Sequence, residues 1–200
     1  MKYVNQTEYP YWLYTTRLDL DGEEREKGKT TTISSSGCGL CSAVMVADRL
    51  VPNCKFDLKD AQRISYDNSC NRRLGTTYTI FAPIFAEEMG LEVEMTSDPE
   101  RLRYCLRTGG VAVLHSKGNR EGYTGVFSAV GHYVVAINEE RDGRIAVLDP
   151  AYTVGKYEEE GRKGRVEMTK DVIALCDMET IVRDTEPAEP SFYLFWRKGK

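Results

Sequence analysis

Two hundred residues with 41% hydrophobic side chains support one sizeable core and leave little room for a second, so a single domain over residues 1–200 is expected. Twenty-seven basic against 31 acidic residues give a net charge of −4, which offers no general attraction for nucleic acid or an anionic membrane surface. No stretch approaches the roughly 20 apolar residues that span a bilayer, and the opening "MKYVNQTEYPYW" lacks the basic-then-apolar order of a signal peptide.

The expectation is therefore a soluble chain without membrane insertion. Cys38, Cys41, Cys54, Cys70, Cys105 and Cys176 are scattered through a chain too long to need a disulfide framework. A reducing cytoplasm is the default location, which a removed leader would change.

In chain order, "DLDGEEREKGKTTT" (19–32) is charged, glycine-bearing and without apolar period, and reads as a loop insertion. A serine-rich loop then hands over at Gly39 to Leu40, Ala43, Val44, Ala47 and Leu50, whose three-and-four spacing predicts a buried helix ending before Pro52. "DLKDAQRIS", "TTYTIFAPIFAEEMG" and "DPERLRYCLRTGG" predict three more helices, with Pro83 a reason to shift the start of the second. The period then changes. "VAVLHS", "HYVVAINEE", "RIAVLDP" and "PSFYLFWRK" read as strands, with "EERDGR" a hairpin turn between the middle two. Helices first and an antiparallel sheet second is an α+β order, distinct from the βαβ alternation of nucleotide-binding folds.

The chemistry concentrates at "SSSGCGLCSAVMVADRL" (34–50). A thiol on the first turn of a helix sits at the positive end of the dipole, which favours the thiolate. Gly37 and Gly39 allow a tight entry and an open approach to Cys38. Three readings compete with plain packing of two small apolar residues. A thiol-disulfide oxidoreductase would use Cys38 and Cys41 as a CxxC pair, but such pairs follow a strand in a parallel βαβ unit, which is missing. A metal site would recruit Cys54 and Cys70 or a histidine, at spacings that fit no familiar zinc pattern.

A nucleophile would need a histidine base and a third group to orient it. His115 reads as an ordinary strand-end histidine. His132 opens the strand whose hairpin partner ends in Asp149-Pro150, so strand pairing would make His132 and Asp149 neighbours.

With these residues in place, the chain resembles the C39-like cysteine peptidases of bacteria, a branch of the papain-like clan. The resemblance rests on a GCG at the start of a buried helix, a Gly-His opening a strand and an Asp-Pro closing the next, in that order. It extends back to "YVNQTEYPYW" and covers the chain from about Val4 to Ala151. It implies a papain-like α+β fold with N-terminal helices packed on an antiparallel sheet, and hydrolysis of a peptide or amide bond in a peptide or protein substrate. It also implies Cys38 as nucleophile, His132 as general base and acid, Asp149 as the group holding the imidazole, and Gln6 with the Cys38 N–H as oxyanion donors. No metal or organic cofactor is implied. Leu40 and Cys41 depart from the residues usual after the GCG, and Thr32 stands where many papain-like enzymes carry glutamine. A non-catalytic peptide-binding module on the same shell is the remaining alternative.

Overall fold

The computed structural model describes residues 1–14, 31–72 and 74–199. Most of the charged stretch expected as a loop at 19–32 lies outside the described residues. Its last two, Thr31 and Thr32, form strand β2, paired antiparallel with β1 (Leu13–Tyr14).

The serines expected as a loop instead form a helical turn, α1 (Ile33–Ser36), where the Thr32 N–H finds Ser35 Oγ at 3.0 Å. Helix α2 (Cys38–Leu50) follows after Gly37 alone and is buried over its first ten residues. An apolar surface on every side is what lets a helix sit in the middle of a core. Asp57 caps α3 (Leu58–Asp67) by accepting from the Lys59 and Asp60 N–H groups. A small hairpin, β3 (Asn71–Arg72) and β4 (Gly75–Thr76), comes next. Helix α4 (Tyr78–Met89) runs straight through Pro83, which lies on the exposed side, so its missing N–H costs one hydrogen bond without breaking the helix. Gly90, at φ 65°, closes α4 in the left-handed conformation that glycine adopts without strain.

The rest of the chain supplies β5 (Leu91–Thr96), α5 (Pro99–Arg107), β6 (Val111–Ser116), β7 (His132–Glu139) and β8 (Ile145–Leu148). After these come β9 (Glu167–Met168), β10 (Ala174–Cys176), α6 (Met178–Thr185) and β11 (Phe192–Arg197). Seven strands form one sheet in the order β5-β11-β6-β7-β8-β10-β9, antiparallel at every pairing.

Alternation splits the core in two. Val111, Val113, Tyr133, Val135, Tyr193 and Phe195 face α2, α3 and α4, whereas Ala112, Leu114, Val134, Ala136, Phe192 and Leu194 face α5 and α6. Helices thus cover both faces, and α5, expected beside the other N-terminal helices, packs on the far side through Leu102, Cys105 and Leu106. Edge strand β5 intervenes between α4 and α5, and a chain leaving a sheet edge can turn onto either face. Among the described residues no helix is long and apolar enough to cross a membrane.

Candidate active site

Cys38 is the first residue of α2. Gly37 permits this tight start: a Cβ there would lie 2.6 Å from both the Ile33 Cγ2 and the Ile33 carbonyl oxygen. Gly39 serves close packing more than open access, since its Cβ would meet the Thr76 side chain at 3.1 Å. Helix α2 is thereby pressed against the β3-β4 hairpin.

The β7-β8 register pairs Val135 with Leu148, so Asp149, one residue further, lies diagonally across from the start of β7. His132 Nε2 and Asp149 Oδ1 are 2.7 Å apart, and both side chains are buried. Cys38 lines the same cleft as this imidazole, whose Nδ1 is the nitrogen that Asp149 leaves over, and the backbone N–H groups of Tyr133 and Gly39 lie on the thiol's side of the site. Burial works against the thiolate, but His132 and these donors outweigh it and hold the Cys38 pKa below the ordinary thiol value. Burial likewise disfavours the imidazolium, and the Asp149 charge and Cys38 overcome it, raising His132 to about 9. Both shifts run in the sense that favours a thiolate beside an imidazolium.

Asp149 has further partners that sequence reasoning missed. Its Oδ2 accepts from Lys156 Nζ at 2.5 Å and from the Tyr157 hydroxyl at 2.7 Å, and its Oδ1 accepts from the Ala151 N–H at 2.8 Å. Burial alone would raise this carboxyl, yet the charges and hydrogen bonds of His132 and Lys156 hold it well below the usual carboxylate range. Lys156 also donates to the Ala151 carbonyl and is itself buried. Nothing in "YTVGKYEEE" marks this lysine as different from a solvated one; a turn through Gly155, at φ 85°, carries it back under the carboxylate.

Gln6 opens a short 3-10 helix wedged between Pro150 and α1. Its N–H donates to the Pro150 carbonyl at 2.6 Å and its Nε2 donates to the Ser34 carbonyl at 2.7 Å, leaving the second amide hydrogen free of that bond. Gln6, Cys38 and His132 all line one cleft of about 640 Å³. The structure therefore brings together all four residues singled out in the sequence. His115, read as an ordinary strand-end histidine, also lines this cleft, stacked on Tyr133 with ring centroids 4.6 Å apart. Burial lowers its pKa to about 4, so it is neutral at physiological pH.

Cys41 faces the core with no exposed surface, and burial pushes its thiol far above the ordinary range. All six cysteines are unpaired, and among the described residues no group of His, Cys, Asp and Glu is arranged to hold a metal.

No protein-family model and no curated protein matches the chain. Among solved structures, the crystal structure of a candidate C39-like peptidase from Bacillus anthracis is similar, with a TM-score of 0.54 over 82% of this chain and 90% of that one, at 10% sequence identity. The likeness is one of fold.

Proposed function

We propose that the protein is a cysteine peptidase of the C39-like, papain-like type, hydrolysing a peptide or amide bond through a thioester. The observation that carries this reading is the His132 ring, bonded through Nε2 to buried Asp149 and sharing one cleft with the Cys38 thiol at a helix N-terminus. The shared fold with a candidate peptidase supports it. So does the full burial of Cys41, which leaves a CxxC oxidoreductase without an accessible second sulfur.

In this mechanism the Cys38 thiolate attacks the substrate carbonyl carbon. The resulting oxyanion takes the free amide hydrogen of Gln6 and the Cys38 N–H, and His132 gives its proton to the departing amine. A water molecule, deprotonated by His132, then attacks the thioester carbonyl and releases the acid, regenerating the thiolate. Asp149 keeps the imidazole in one orientation and stabilises its charged form.

The test is iodoacetamide labelling read by mass spectrometry, beside cleavage of a peptide library. Cys38 should label first and should block cleavage, and His132→Ala should slow both by about a hundredfold or more. Preferential labelling of another cysteine, or cleavage that survives Cys38→Ala, would refute the proposal.

A further inference from the structure

One side of the cleft is the β3-β4 hairpin, and it is tied firmly to the nucleophile's helix. Thr76 meets the Tyr14 hydroxyl at 3.0 Å, its carbonyl accepts from the Tyr133 hydroxyl at 3.2 Å, and its side chain abuts Gly39. Whatever this hairpin carries is therefore held at a set position relative to Cys38. It carries Arg72, paired across the hairpin with Gly75, and both residues line the cleft.

Arg72 stands out among the cleft residues. It is the one permanently charged side chain among the described lining residues, none of which is Asp or Glu. Its Nη1 is buried and has no hydrogen-bond partner among the described residues. A guanidinium presents a rigid fork of donors matched to a carboxylate, and leaving a buried donor unmet is costly. Arg120 Nη1 and Arg165 Nε are likewise unmet, but neither residue lines the cleft, whereas Arg63, Arg101, Arg103, Arg107 and Arg144 each meet a carboxylate on their own chain. Leu74, at the hairpin tip, and Val130 are both largely exposed and add apolar surface to the lining of the same cleft.

We infer that Arg72 is a specificity residue that binds a carboxylate of the substrate close to the scissile bond, so that the cleft selects acidic peptides. The inference rests on the peptidase reading above and names the substrate class for that site. The carboxylate has two possible sources, an Asp or Glu side chain or the free C-terminus of a short product-like peptide, and both present the same chemistry to the guanidinium.

The experiment uses the full chain and a library of quenched fluorescent peptides in matched pairs: Glu against Gln at each position around the cleaved bond, and free acid against C-terminal amide. The quantity read is the ratio of kcat/KM within each pair, which a general loss of rate in a variant does not move. The wild type should favour the carboxylate member of one pair on the order of tenfold to a hundredfold. Arg72→Gln should bring that ratio near one, Arg72→Glu should invert it, and Arg72→Lys should retain part of it.

The pair that responds distinguishes a side-chain carboxylate from a terminal one. Cleavage with ratios near one at every position, or an acidic preference that persists in Arg72→Glu, overturns the inference while leaving the peptidase reading in place. An absence of cleavage across the whole library, with Cys38 showing no selective alkylation, overturns the peptidase reading and takes this inference with it.

Discussion

Asp149 illustrates how much one buried residue depends on partners that are distant in kind as well as in sequence. Its two oxygens accept from an imidazole, an ammonium, a phenol and a backbone amide, which together offset the cost of burying the charge. In the proposed mechanism the imidazolium-thiolate pair is lost on the alkaline side at about 9, where His132 gives up its proton, and the lowered Cys38 pKa bounds it on the acid side. The kcat/KM profile should therefore fall on its alkaline side near pH 9. Asp149→Asn removes the charge that raises His132, so this limb should move down by roughly one to three pH units, with a smaller loss of rate than Cys38→Ala.

Lys156→Met should act in the opposite sense on the same limb. The carboxylate remains, a competing cation is gone, and the limb should stay near 9 or rise. The cost should appear in urea unfolding instead, as a loss of about 3 kcal/mol from breaking a buried ion pair. If Lys156→Met lowered the limb as Asp149→Asn does, the lysine would be supporting the imidazolium and not merely the carboxylate.

At the level of elements, the site depends on where α2 begins. The two glycines flanking Cys38 are equivalent in sequence and differ in space. At Gly37 an added Cβ collides at 2.6 Å with a backbone carbonyl and a fully buried Ile33, neither of which yields readily. At Gly39 it meets the Thr76 side chain at 3.1 Å, a contact that a shift of a few tenths of an ångström relieves, and alanine is the better helix former. Gly37→Ala should therefore slow Cys38 alkylation at least tenfold and destabilise the fold by about 1–3 kcal/mol. Gly39→Ala should change both less. Alkylation rates and urea midpoints on the same two variants decide the order.

Across the whole molecule, the strands β6, β7 and β11 each send alternate residues into both cores, so neither core can form without the sheet that builds the other. Unfolding should accordingly be a single transition. The unpaired cysteines report on this directly: Cys41 and Cys70 lie in the α2 face, Cys105 and Cys176 in the α5 face. Burial raises the pKa values of Cys70, Cys105 and Cys176 to about 11, 12 and 12, so all are quiet in the native state. In pulse labelling along a urea series, all four should become reactive at one midpoint. Two midpoints, divided by face, would mean two separable units in place of one domain.

The helices from "CGLCSAVMVADRL" to "RLRYCLR" and the four apolar strands were legible because their periods, caps and terminal glycines are local properties of the chain. His132 and Asp149 were legible as neighbours for the same reason: a hairpin converts a sequence separation into a spatial one by a simple rule, and β7-β8 obeys it with one irregularity at Ala136–Asn138. The short strands β3, β4, β9 and β10 were not, since two or three residues carry no period. The face on which α5 packs was not either, because amphipathicity says that a stripe is buried and not against what. Lys156 under Asp149, His115 beside the cleft and Arg72 on its rim belong to the tertiary structure alone. A charged or aromatic residue acquires such a role only through what the fold sets around it, and a buried cation or a cation without a carboxylate looks, in sequence, like any other.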